Sequence, residues 1–206
     1  ILGYDELEIQ MATPRNIKVL EYTRSEIPQF AVEYTELGPV SEPVQLSFQG
    51  DRTIPLLPID VGSGCWWSNS GDSIDSTLSR RVKMSMGSTT LLEYEVWFDI
   101  EEDWDYLYVE VSLDGGNTWQ VIETLNTTQE NPFGNAFGTG YTGMSSGWLV
   151  ESVDLTQFSR EDMWVRFQYV TDDAINGAGA CFSNLSVSGA GITSNPDEWI
   201  PRGFEF

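Results

Sequence analysis

Residues 98–119 read FDIEEDWDYLYVEVSLDGGNTW. In the middle of this stretch Leu107, Val109 and Val111 recur at every second position, the period of a strand that buries one face. The run stops at Asp114-Gly115-Gly116, a turn signature, so a strand and the hairpin that reverses it follow one another directly. Five of the seven residues from Asp99 to Asp105 are carboxylates, placed just before the strand. No Lys or Arg occurs between Met84 and Ser159, a span that holds thirteen Asp and Glu. Like charges this dense repel unless they are solvated or neutralised by a cation, and no local base is at hand. A hard ion such as calcium is the first candidate.

The same alternation extends outward. Leu92, Tyr94, Val96, Phe98 and Ile100 form an apolar face, with Glu93, Glu95, Trp97 and Asp99 on the other. Val165, Phe167 and Tyr169 repeat it. Asn135 with Gly138 and Gly140, Ser145-Ser146-Gly147 and Asn176-Gly177 supply turns between the runs, and helical periodicity is nearly absent. Many strands joined by glycine turns imply an all-β fold, an antiparallel β-sandwich. Three zones follow. Residues 1–40 form a leader with expected strands at Ile17–Tyr22 and Phe30–Leu37, a donor or linker segment. Residues 41–190 form the sandwich, and residues 191–206 form an aromatic tail expected to dock on its own domain or a neighbour. The long loop Asn126–Gly147 reads first as a plain sandwich connection, with a binding loop as the alternative.

A chain of 206 residues with 40% hydrophobic content and eight Trp can bury a core. Its net charge of -22 repels nucleic acid and anionic membranes, leaving metal ions, other proteins and neutral glycans as partners. Nothing resembles a membrane-inserting span, and a first residue of Ile1 fits a processed product or a fragment. The absence of His excludes Ser-His-Asp and Cys-His catalysis and His-ligated zinc, so no enzymatic activity is expected. In an acidic, Asn/Gly/Thr-rich chain of exported character, Cys65 and Cys181 read as a disulfide. Asn126-Thr127-Thr128 and Asn184-Leu185-Ser186 match the N-glycosylation acceptor pattern.

Ser112-Leu113-Asp114-Gly115-Gly116-Asn117-Thr118-Trp119 matches S-x-D-x-G-x-T-W, the Asp-box. Its logic is structural: Asp114 caps the turn, Gly116 takes a positive φ, and Trp119 packs beneath Ser112 and its neighbours. Asp72 and Asp75 form a second acid pair in a turn after Trp66 and Trp67. Brought beside Asp103 and Asp105 at the strand entrance, they would supply oxygens for calcium. Asp172-Asp173 reads as a plain turn. Trp66, Trp67, Trp97 and Trp104 invite a sugar platform, although such aromatics more often pack inside a sandwich.

The order WWSN-x-GD-x-x-DSTL, DIEEDWDYLYVEVS, DGGNTW, TGYTG, SGW and YVTDDAINGAG, from about Val44 to Val187, resembles the MAM-like β-sandwich region of immune inhibitor A-like secreted metallopeptidases. That resemblance implies an antiparallel β-sandwich of jelly-roll type that serves as an extracellular, non-catalytic, calcium-stabilised accessory domain, with Asp72, Asp75, Asp103 and Asp105 matching its acidic motifs. The H-E-x-x-H helix of the peptidase has no counterpart in a chain without His. Relatives often carry an Asp pair before the final strand, where this chain has Ser183-Asn184. Three functions remain to weigh: an accessory module, a subunit of an extracellular filament joined by strand complementation, and a carbohydrate-binding module.

Overall fold

The computed structural model describes residues 13–19, 21–25, 27, 32–50, 55–187 and 196–206. The chain divides into two compact units, 1–54 and 55–206. In the first, β1 (Arg15–Ile17) and β2 (Thr35–Leu37) pair in parallel, Arg15 opposite Thr35. Both strands are shorter than expected. Residues 18 and 19 leave strand geometry after Ile17, while Leu20, Phe30 and the segment Ile1–Glu8 lie outside the described residues.

The second unit carries β3 (Trp66–Trp67), β4 (Asp75–Val82), β5 (Leu91–Asp99), β6 (Tyr106–Ser112), β7 (Gln120–Val121), β8 (Leu149–Asp154), β9 (Met163–Val170), β10 (Gly179–Val187) and β11 (Ile200–Arg202). One sheet runs β3-β10-β5-β8 and the other β11-β4-β9-β6-β7, every adjacent pair antiparallel. The fold is an antiparallel β-sandwich. Among the described residues no helix is long and apolar enough to cross a membrane.

Alternation decides which face meets the other sheet. Leu92, Tyr94, Val96, Phe98 and Ile100 join Leu107, Val109, Val111, Val165, Phe167 and Tyr169 in one core. Rings interlock across the layers, Tyr94 with Phe167 at 5.0 Å and Phe167 with Phe182 at 4.1 Å between centroids. Trp97 points the other way for a reason: it sits opposite Cys181 in the β5–β10 register and packs on the Cys65–Cys181 disulfide, beside Leu57. That bond spans 116 residues, and on the chain-entropy account a loop so long stabilises by up to about 5 kcal/mol. Trp66 and Trp97 are buried and Trp67 is half-buried, so three of the four tryptophans serve packing; Trp104 is 38% exposed.

The tail belongs to the sandwich. β11 pairs with β4, Ile200 opposite Ser79, and Glu205 then bridges to Trp67 of the other sheet. Trp199 and Phe204 are buried in the core. A single short segment therefore closes one side of both layers. Ser183 and Asn184 lie inside β10 at a bulge, Asn184 with φ of 52°, so they do not precede the last strand of their sheet.

Candidate metal centre

The antiparallel register brings the end of β5, the start of β6, the end of β9, and the starts of β4 and β10 to one end of the sandwich. Asp75 and Tyr106 both lie opposite Val170, and Gly179 lies opposite Asp99. The loops leaving those strands interlock there. Asp172 donates its N–H to Asp105 Oδ1 at 3.2 Å, and Glu101 N–H reaches Asp105 Oδ2 at 3.4 Å. Thr142 Oγ1 accepts from Asp103 N–H at 2.7 Å and donates to the Glu101 carbonyl at 3.2 Å, and Ile100 N–H donates to the Gly143 carbonyl at 2.9 Å.

Within this junction Glu101, Asp105 and Asp172 each offer a carboxylate oxygen, and these oxygens lie within 4.8 Å of one another. Asp105 is fully buried at the start of β6, with the Tyr169 hydroxyl donating to it at 3.3 Å. Among the described ion pairs none engages this trio. Burial raises the Asp105 carboxyl to about 6, outweighing the hydrogen bonds it accepts. Glu101 is raised too, by desolvation first and then by the Asp172 charge. Three hard oxygens held together without a base form a donor set suited to calcium, whose remaining positions backbone carbonyls and water can fill.

The four acids singled out in the sequence do not come together as a set. Asp105 enters the trio. Asp75, the first residue of β4, accepts from Gln168 Nε2 at 2.7 Å across the sheet. Asp72 is exposed and accepts from the Asn176 amide. Asp103 sits at positive φ, 67°, in the turn between Ile100 and Tyr106, and its carboxylate is outside the trio. The turn carrying Asp72 does reach the junction, because Ser73 N–H donates to the Asp172 carbonyl at 2.5 Å. Glu101 is one of five acids within seven residues with nothing local to distinguish it, and Asp172 reads as a turn residue. Only the pairing of β9 with β6 selects them.

A raised carboxyl makes a signed pH prediction. The folded state holds the Asp105 proton more tightly than the unfolded chain does. In metal-free protein the penalty is full above about pH 6 and is relieved as pH falls through that value towards about 4, where the unfolded carboxyl also protonates. Relative to Asp105→Asn, the native protein should gain on the order of 2 kcal/mol between about pH 7.5 and about pH 4.5. Urea midpoints of the two proteins with chelator present measure this; parallel pH profiles would contradict it.

The hairpin after β6 is built from its own side chains. Asp114 Oδ1 accepts from Ser112 Oγ at 2.8 Å and from the N–H groups of Asn117 and Thr118 at 3.1 and 2.9 Å, and its Oδ2 accepts from Thr118 Oγ1 at 2.7 Å. These donors, Thr118 N–H foremost, hold its carboxyl down at about 2. Gly116 has φ of 90°, its N–H donates to Ser112 Oγ at 2.9 Å, and its carbonyl accepts from Trp119 Nε1 at 3.1 Å. The Arg166 guanidinium lies 4.0 Å from the Trp119 ring centroid while its Nε meets Glu110 at 2.5 Å. Every group in the turn is spent on the turn itself.

Comparison with known proteins places this architecture. The chain is 26% identical over 184 residues to the pre-pro-metalloprotease PrtV of Vibrio cholerae serotype O1, covering 89% of this chain and 18% of that protein. It is 27% identical over 156 residues to immune inhibitor A of Bacillus thuringiensis subsp. alesti, covering 74% of this chain and 21% of the relative. Bacillopeptidase F of Bacillus subtilis (strain 168) is 24% identical over 107 residues, covering 52% of this chain and 6% of its own. The chain thus spans about a fifth of the length of the first two relatives. A family model, Immune inhibitor A-like, MAM domain, matches residues 38–198. The chain belongs to the immune inhibitor A-like MAM-domain family.

Proposed function

We propose that this chain is a non-catalytic extracellular module that positions or stabilises neighbouring protein domains, braced by calcium at one end of its sandwich. The match to the MAM domain of an immune inhibitor A-like family, shared with proteins named as proteases, carries the accessory reading. A chain without His cannot assemble a His-ligated zinc centre of its own, which fits an accessory part. The trio Glu101, Asp105 and Asp172 would hold the ion, whose charge would offset the repulsion among carboxylates from the β5–β6 and β9–β10 connections. The filament alternative loses one of its motives, because the aromatic tail that could have reached a neighbour pairs as β11 with β4 of its own chain.

Calcium binding to the folded state alone adds stability by mass action, about 2.7 kcal/mol at a hundredfold excess over Kd. The melting temperature should rise by about 5 to 10 °C between chelator and millimolar calcium, and much less with magnesium. Glu101→Gln and Asp172→Asn should each abolish the rise. An unchanged melting temperature in millimolar calcium would remove the metal from the proposal. Hydrolysis of a protein substrate by the pure chain would remove the accessory assignment.

A further inference from the structure

We propose that the loop over the outer face of β6 is a binding subsite for a neutral oligosaccharide. Gln129, Asn131, Ala136, Phe137, Gly138 and Thr139 line an open cleft of about 310 Å³. None of the six is charged, in a chain carrying 32 acids. Amides, a hydroxyl and an aromatic ring are the groups that recognise a sugar: the ring takes the apolar C–H face, and the amides and hydroxyl meet the rim of OH groups.

The aromatic rings are held in place from beneath. Phe137 is 65% exposed, yet its ring lies nearly parallel to that of buried Tyr108, with centroids 5.5 Å apart and planes at 17°. Its N–H donates to the Tyr108 hydroxyl at 3.0 Å. Phe133, 58% exposed, stacks on Trp104 at 4.3 Å and 15°. The loop is stapled between them: Asn135 Nδ2 donates to the Trp104 carbonyl at 2.8 Å, and Asn131 Oδ1 accepts from Ala136 N–H at 3.1 Å. Gly140 is where the loop crosses Tyr108 so closely that a Cβ would stand 2.9 Å from its ring. The exposed Phe137 ring is thus presented to the cleft on a fixed support, which lowers the ordering cost of binding.

Two polar atoms of this loop have no protein partner among the described residues. Thr139 Oγ1, in the cleft wall, and Asn135 Oδ1 are both buried without a hydrogen bond. Buried polar atoms are seldom left so, and an ordered water is the usual partner of such atoms. Charge selects among sugars. A chain at -22 repels sulfated, sialylated and uronic-acid glycans, and no basic residue lines the cleft to offset that field.

Saturation-transfer NMR and titration calorimetry with cellotetraose, chitotetraose, mannotetraose and maltotetraose test the subsite, with sialyllactose and a heparin tetrasaccharide as anionic probes. At least one neutral tetrasaccharide should bind with a Kd of about 10 μM to 1 mM. Phe137→Ala should weaken it at least tenfold and Gln129→Ala by several-fold, with melting temperatures lowered by only a few degrees, because both side chains are exposed and the losses are the Phe137–Tyr108 stack and one surface contact of Gln129 with Glu123; Phe137→Trp should retain or strengthen binding. No neutral binding at about 10 mM sugar, undiminished affinity in Phe137→Ala, or tighter binding of the anionic probes would each overturn the proposal.

Discussion

Replacing Glu151 by Ala is expected to destabilise the sandwich by roughly 3 to 5 kcal/mol and to lower the melting temperature by about 10 °C. Glu151 lies on β8 between Leu149 and Val153 and is 1% exposed, a carboxylate on a strand of otherwise ordinary alternation. It is kept there by donors. Oε1 accepts from the Tyr141 hydroxyl at 3.0 Å, Thr124 Oγ1 at 3.2 Å, Asn126 N–H at 3.2 Å and Asn126 Nδ2 at 2.9 Å. Oε2 accepts from Leu125 N–H at 3.3 Å. Tyr141 in turn shares a hydroxyl contact with Tyr94 at 2.7 Å, inside the core. Burial pushes both phenols well above their ordinary range, so they remain neutral donors.

Truncation at Glu151 leaves the Leu125 and Asn126 backbone N–H groups and the Asn126 side-chain amide without their acceptor, each costing about 1 to 3 kcal/mol if left unpaired, while the Thr124 and Tyr141 hydroxyls keep each other at 2.8 Å. Glu151→Gln retains one acceptor oxygen and should lose only about half as much. Amide exchange at Leu125 and Asn126 should accelerate in Glu151→Ala, since their N–H groups lose the carboxylate that holds them. Chemical denaturation of the three proteins decides the matter. A loss under about 1 kcal/mol would mean that the loop finds other acceptors. The same bonds engage the side-chain amide of Asn126 within its glycosylation triplet.

Trp199→Ala carries the second large effect, again about 3 to 5 kcal/mol. The indole is 4% exposed, packs at 5.6 Å from the Phe167 ring and lies under the Arg80 guanidinium, 5.6 Å from its centroid. Arg80 itself is 1% exposed on the core-facing side of β4 and pairs with Glu198, the residue before Trp199. Removing the indole therefore opens a cavity beside a buried cation and loosens the segment that supplies its counter-charge. Trp199 Nε1 has no hydrogen-bond partner among the described residues, so Trp199→Phe forfeits packing alone and should cost about 1 to 2 kcal/mol. If Trp199→Ala leaves the denaturation midpoint unmoved, the closing role of residues 198–206 is wrong. Limited proteolysis in that segment should accelerate in step with the loss of stability.

Both residues show where sequence reading stops. Glu151 sits in a polar-looking stretch, and its donors come from Thr124, Leu125, Asn126 and Tyr141, which only the folded loop brings near. Trp199 looked like part of an aromatic tail whose docking partner was open between its own domain and another. The register of β11 on β4 chose its own.

What the sequence determined by itself was everything set by short-range geometry. A strand exposes alternate residues to opposite faces, so Leu92 to Ile100 and Leu107 to Val111 declared the core before any sheet was built. The Asp114 turn is equally local, since all its bonds close within Ser112–Trp119. With two cysteines in the chain, a disulfide had one possible pairing. The tertiary structure alone decided which acids meet. Asp105 and Asp172 are 67 residues apart in sequence, and Asp75 and Asp103 are not their companions. A carboxylate cluster depends on which strand ends share one rim of the sandwich, and that follows from pairing and register across the whole chain. Charge density in the sequence marks the rim; only register picks the ligands.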